Sequence, residues 1–279
     1  MRFVSCSILC LFAGSVLAAS PCSYTAERNL DIDPAGVHAL VLKLGSSDLK
    51  ARGVAGLTRI EVRGKACASE ESKLAGLTVD QSRNGDRVTV TPNQASQQTF
   101  SLFGSNYAYI DLEVRVPATL AIEVKANSGD ADIADVAALD FDSHSGDLIV
   151  HHVSGDVAVE MHSGDVKADD LGSIEVRRSG SGDVHASNVH GDVKVGHVGS
   201  GDLGFDNVAK SVHVESIGSG DVTVNRAGGD VVIGSIGSGD VNADDVGGDF
   251  AVKSAGSGDI HHHGVKGKVD VPKRNDDDD

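Results

Sequence analysis

Apolar residues recur along the second half of the chain with a period of 19. Five units of that length begin at Gly180, Gly199, Gly218, Gly237 and Gly256. Three looser, slightly shorter units precede them, beginning at Asn127, His144 and His162. Aligned, the units give apolar columns: Val184, Leu203, Val222, Val241, Ile260; then Val189, Val208, Ala227, Val246, Val265. Two more columns follow in each unit, from Val193 to Val269 and from Val195 to Val271. Within Val193-Lys194-Val195 and Val212-His213-Val214 the pattern alternates with period two, which predicts a strand with one buried face. The β-branched bias agrees, and no helical stripe competes with it. Two short strands per unit, each closed by a glycine turn, make one coil of a parallel β-solenoid. One coil cannot bury its own apolar face, so stability belongs to the stack.

Before Asn127 the alternation persists without a period. Leu40 to Leu44, Arg59 to Val62 and Ile110 to Val116 read as strands, and Gln81 to Val88 as a hairpin whose Asn84-Gly85 suits a type I′ turn. Gln94 to Ser105 is a polar loop. The expected fold class is therefore all-β: a parallel β-solenoid of two short strands per ~19-residue coil, preceded by an irregular β-rich section. The expected divisions are a leader over 1–18, the β section over 19–126, the solenoid over 127–274 and an acidic tail over 275–279.

Composition places this rod. Met1-Arg2, the apolar run to Val16 and the small residues near Ala18 predict a secretory leader cleaved after Ala18. The run is too short for a membrane span, which takes ~20 apolar residues. Cys6 and Cys10 leave with it, and Cys22 and Cys67 remain to form one disulfide in an oxidising compartment. Their spacing is not that of a redox pair. Losing Arg2 takes the formal net charge from −17 to −18. With no basic patch, that excludes nucleic acid and anionic lipid surfaces as partners. Exported, periplasmic or secreted, with no direct membrane insertion, is the expected location.

The run Tyr109 to Ile133 (YIDLEVRVPATLAIEVKANSGDADI), followed by serial Ser-Gly-Asp-Val turns, resembles the bacterial putative adhesins with β-strand repeats, a domain of unknown function in envelope proteins. The resemblance covers roughly Gly36 to Val271. It implies a right-handed solenoid and an exported location, and it carries over no catalytic residue. The partner it implies is an envelope protein or a surface ligand.

The candidate chemistry lies in the turns. The first-turn column reads Asp130, Asp147, Asp165, Asp183, Asp202, Asp221, Asp240 and Asp259 without exception. The second-turn column reads Ala138, Asp156, Ser173, Asp192, Ser211, Asp230, Asp249 and Lys268. Only the first turn insists on an acid. An aspartate after a glycine of positive φ caps its own turn by accepting backbone N–H bonds. The rival reading is calcium at Asp183, Asp202, Asp221, Asp240 and Asp259, in the manner of calcium β-rolls. Against it, one carboxylate per turn supplies few of the six to eight oxygens that calcium takes. His151-His152 and His261-His262-His263 alternate faces if they lie in strands, so they do not converge on a metal. His262 shares a column with Ala186, Phe205, Val224 and Ala243, where it closes the open end. No cofactor is expected. Nor is an enzyme: from Gly180 onward no insertion interrupts the coils to wall a cleft. The outward column His185, Gly204, Thr223, Asn242, His261 is too mixed for an ice-binding face. A non-enzymatic scaffold or adhesin-like surface is the expected role.

Overall fold

A computed structural model describes residues 22–94 and 107–273. The leader, the acidic tail and nearly all of the loop from Gln94 to Ser105 lie outside the described residues. From Gly180 each unit forms two strands, such as Val184–Val189 and Val193–Ser200, and each pairs in parallel with its equivalent in the next unit. Val193 sits beside Val212, then Val231, then Phe250. The units from His144 and His162 are built alike, with the strands Leu148–Ser163 and Val166–Ser181 running through the second corner.

The burial pattern follows the alternation and then departs from it once per strand. In Val193–Ser200, Val193 and Val195 point inward, Lys194 outward, and the next inward residue is Val198. Six positions per coil thus face the core. Phe141, Phe205 and Phe250 are its bulkiest fully buried members. The column Ala186, Phe205, Val224, Ala243 mixes large and small side chains, so volume in one coil is taken up by its neighbours. His262 continues this column, and its ring lies 5.7 Å from that of the last buried phenylalanine, Phe250.

The stack does not begin at Asn127. Ala39–Gly45 and Leu49–Val54 form a coil directly beneath Ala121–Ala126 and Ala131–Ala134, with Leu40 beside Ile122 and Leu49 beside Ala131. The expected division at Asn127 therefore falls inside one continuous ladder. The long insertion between Val54 and Ala121 hides that coil from a search for periods. Within that insertion, Arg87–Gln94 and Ala108–Pro117 add a further parallel layer below it. Antiparallel pairing then closes this end: Tyr24–Ile32 on Ile60–Ala68, Ile60–Ala68 on Ala108–Pro117, and the hairpin Leu77–Asn84 with Arg87–Gln94. The hairpin register is one residue off the expected turn. Asn84 pairs with Arg87, so the loop is Gly85-Asp86, and only Gly85 takes a positive φ, +61°. Glycine first in a two-residue loop suits type II′, not type I′. The Cys22–Cys67 bridge spans a Cα separation of 5.6 Å and fastens the start of the first strand to this capping layer.

Candidate functional site

From Gly129 to Gly258 the first corner is built around glycines held at positive φ. Gly220 has φ +124°, and a Cβ there would stand 2.1 Å from the carbonyl oxygen of Gly201 in the coil below. The same conformation recurs before every aspartate of the column, from Gly129 to Gly258. With the turn pressed flat against its neighbour, polar groups point along the stack. Asp221 shows the outcome. Its N–H donates to Asp202 Oδ1 at 2.8 Å, its own Oδ1 accepts the N–H of Asp240 at 2.8 Å, and its carbonyl accepts from Leu203 at 2.8 Å. The side-chain bond expected within one turn instead crosses to the next coil. It repeats at each step from Asp130 to Asp259, at 2.8–3.0 Å. These side chains are rungs of a ladder.

Two further acids belong to it. Asp48 Oδ1 accepts the N–H of Asp130 at 3.0 Å. Asp111 lies beneath Asp48, since Leu49 pairs with Leu112. The signal for Asp48 was local: Gly45-Ser46-Ser47-Asp48 echoes the Gly-Ser-Gly-Asp turn. Asp111 carried none. Around them a cleft of about 450 Å³ opens between the ladder and the capping layer, lined by Asp48, Lys50, Arg63, Asp111, Asp132 and Ile149. Burial pushes the Asp111 carboxyl up, the charge of Asp48 adds to this, and Lys65 opposes it. With a folded value above the unfolded one, Asp111 contributes stability that is complete below the unfolded value. That stability is lost as pH rises through the folded value. Asp111→Asn should therefore unfold at a higher temperature than the parent at pH 7.5 and at the same temperature at pH 3. Melting curves at the two pH values check this, and an unchanged midpoint at pH 7.5 would refute it.

The second corner needs an acceptor rather than an acid. Ser211 N–H donates to Asp192 Oδ1 (3.1 Å), Asp230 N–H to Ser211 Oγ (3.1 Å), and Asp249 N–H to Asp230 Oδ1 (2.8 Å). Serine serves here as well as aspartate. Lys268, last in the column, donates its N–H to Asp249 Oδ1 at 2.8 Å.

Between the two turns runs a column the alternation did not reveal. Asp135, His152, Asp170, Asn188, Asn207, Arg226 and Asp245 all take positive φ, between 51° and 62°. Asp, Asn and His tolerate this conformation best, and a bulky residue there is uncommon. Arg226 sits with its Nε on Asn207 Oδ1 at 2.5 Å. Asn188 and Asp170, one coil apart, are the trace this column leaves in the sequence. The left-handed kink also breaks the alternation expected for His151-His152, and the two rings lie 6.3 Å apart at the corner. His261 and His263 continue the outward columns of Asn242 and Asp244.

From Asp183 to Asp240 each ladder carboxylate commits Oδ1 to a backbone N–H, which leaves Oδ2 for a cation that takes six to eight oxygens. Among the described residues no three His, Cys, Asp or Glu side chains converge on a point as they stand.

A family model described as Toastrack DUF4097 matches residues 56–277. The chain belongs to this family. The match begins after Val54, so the coil Ala39–Val54 that the structure stacks beneath Ala121–Ala134 lies outside it. Among solved structures, this Toastrack chain is similar to a putative adhesin from Bacteroides fragilis, at 11% identity over 90% of this chain and 99% of that one, with a TM-score of 0.39. A putative adhesin from Parabacteroides distasonis is 13% identical over 89% and 97%, with a TM-score of 0.40. A putative lipid binding protein from the same species is 12% identical over 88% and 97%, with a TM-score of 0.41. No curated protein matches the chain.

The ladder of the Toastrack chain makes a sharp distinction between acceptor and charge. Asp221→Ala removes the acceptor for the Asp240 N–H and should cost about 1–2 kcal/mol. Asp221→Asn keeps an oxygen in place and removes one charge from a column of like charges, so it should fall within about 0.5 kcal/mol of the parent. Denaturant unfolding of the three proteins measures both; equal losses would mean that the charge, and not the acceptor, is what the corner requires.

Proposed function

We propose that this Toastrack chain is an exported, non-enzymatic rod of the bacterial envelope that presents its outer faces to an envelope protein or a surface ligand. The observation that carries this reading is the construction of the repeat itself. From Gly180 each coil spends its corners on ladder bonds and its inward positions on the core, and no inserted loop walls a cleft. What the solenoid offers a partner is therefore its length and its outward columns, which vary from coil to coil, as in His185, Gly204, Thr223, Asn242 and His261. The Cys22–Cys67 bridge supports an oxidising compartment, where such bonds persist. The net charge of −17 supports a partner other than nucleic acid or an anionic membrane.

Fractionation of the native host tests the location. The protein should be found in the periplasm or the medium, begin at Ala19 by N-terminal sequencing, and carry no alkylatable thiol until reduced. A full-length, reduced protein in the cytoplasm would end the proposal. A hydrolytic activity that survives purification to homogeneity would end its non-enzymatic part.

A further inference from the structure

Two rows of outward side chains border the cleft between the ladder and the capping layer. One row is acid throughout: Asp111, Asp48, Asp130 and Asp147 follow one another along the rod. In the other, Arg63 stands beside Glu113, Glu113 beside Lys50, and Lys50 beside Asp132, so charges alternate from strand to strand. That row ends on Ile149, above Asp132. With Tyr24 and Val269, Ile149 is one of the three large apolar side chains left exposed among the described residues, at 39%. Leu112, Leu49 and Ala131 line the cleft between the rows. Its cations are already engaged or offset. Arg63 turns its guanidinium to Asp31 Oδ1 at 2.8 Å and to the carbonyl of Leu30 at 3.1 Å. Lys50 lies between two acids of its own row. Asp132 gives Oδ2 to Arg52, while its Oδ1 is buried without a hydrogen-bond partner, the one such side-chain atom among the described residues. A carboxylate oxygen so placed is costly and deepens the negative potential of the cleft.

We propose that this cleft binds an organic cation, with an alkylammonium group seated on Asp48 and Asp111 and its aliphatic stem running along the rod to Ile149. The volume of about 450 Å³ falls within the range of small-ligand pockets, roughly 300–1,000 Å³. Ile149 lies two strands above Asp48, about 10 Å at ~4.8 Å per strand, which a stem of about six carbons spans. The ligand has to bring both a positive charge and an apolar body, because the acid row supplies the first need and Ile149 the second. A bare metal ion finds no cage here, since no three His, Cys, Asp or Glu side chains among the described residues converge on a point. An ammonium needs none: it carries its own protons and donates them to carboxylates one at a time. The Asp111 carboxyl, pushed up by burial and then by the charge of Asp48, gains a partner that favours its ionised form. The capping strand that carries Arg63 gives the acid ladder a wall here, which it lacks from Gly180 onward. Fractionation tests the envelope role and titration tests the cleft, so either can fail alone.

Calorimetric titration of the whole protein at pH 7.5 with n-hexylammonium chloride tests the site. The parent should bind one equivalent, and about tenfold or more tightly than it binds ammonium chloride, which lacks the stem; covering two methylenes suffices for that ratio. Sodium hexanoate, with the same stem and the opposite charge, should bind no better than ammonium does. Asp111→Asn and Ile149→Thr should each weaken hexylammonium about threefold or more, the loss expected of one partly exposed ion pair or one apolar contact. Threonine already stands in the outward column of Ile149, at Thr223, so the strand accepts it. Asp221→Asn removes an equal charge from the ladder away from the cleft and should bind as the parent does. Melting curves without ligand confirm that each variant is folded. A short acetylated and amidated peptide with one central lysine separates the two sources of an alkylammonium group. Tighter binding than hexylammonium assigns the site to a lysine side chain of a partner protein, and weaker binding assigns it to a free amine. No uptake of hexylammonium, equal affinity for hexanoate, or a loss in Asp221→Asn as large as that in Asp111→Asn would overturn the site.

Discussion

Gly220→Ala should lower the unfolding free energy by about 4 kcal/mol, more than any substitution of a turn acid. Two costs combine. A φ of +124° belongs to a region that is essentially closed to residues with a Cβ, and entering it costs about 1–3 kcal/mol. The new methyl carbon would also stand 2.1 Å from Gly201 O. Relief of that overlap has to separate two coils, and forced packing of this kind costs about 1–3 kcal/mol more. The N–H bonds that hold the corner, Gly220 to Ser238 O at 3.0 Å and Gly201 to Ser219 O at 3.1 Å, lie on the line of separation. Gly85→Ala is the control. Gly85 also has a positive φ, +61°, but nothing lies within 4 Å of a Cβ there. It should lose only the positive-φ penalty of about 1–3 kcal/mol. Urea unfolding followed by circular dichroism compares them. Equal losses would show that the stacked contact contributes nothing.

Phe205→Ala should destabilise by about 3–5 kcal/mol, the range for emptying a fully buried aromatic site. The surroundings cannot collapse to fill it. Ala186 lies in the coil below and Val224 in the coil above, and both are held in register by ladder bonds on either side. Because coils depend on their nearest neighbours, the damage should be local. Hydrogen exchange should lose protection first around Leu203–Val208 and the strands that flank it. Phe205→Leu, which leaves most of the volume, should cost about 1.5 kcal/mol or less. A Phe205→Ala loss below about 1 kcal/mol would mean that the coils slide to close the cavity, and that the register is softer than its hydrogen bonds imply.

The repeat was legible because everything it needs is local. Val193-Lys194-Val195 announces a one-sided strand by alternation, and the return of Gly-Asp at the same place in every unit announces a corner. The strands near Leu40, Ile60 and Ile110 were legible for the same reason. The turn at Gly85 was placed one residue early, because Asn-Gly favours type I′ while the register of the flanking strands selects Gly85-Asp86.

The acid ladder was half legible. The unbroken column from Asp130 to Asp259 was visible by counting, but its bonds were assigned to the wrong coil. A side chain that caps its own turn and one that reaches the next turn leave the same trace in a sequence. Only the flatness of the stacked glycines, with no room for a Cβ between Gly201 and Gly220, directs the N–H groups along the rod. Asp48 and Asp111 lie outside the period altogether.

The sequence by itself determined the period of the coil, its inward columns and the glycine corner, since each is a property of residues a few positions apart. The tertiary structure alone decided that Ala39–Val54 lies beneath Ala121–Ala134, that Asp221 serves Asp240, and that His190 reaches Asp170. In a solenoid a side chain's partner is whatever stands one coil above or below it, and that is set by stacking, not by the order of the chain.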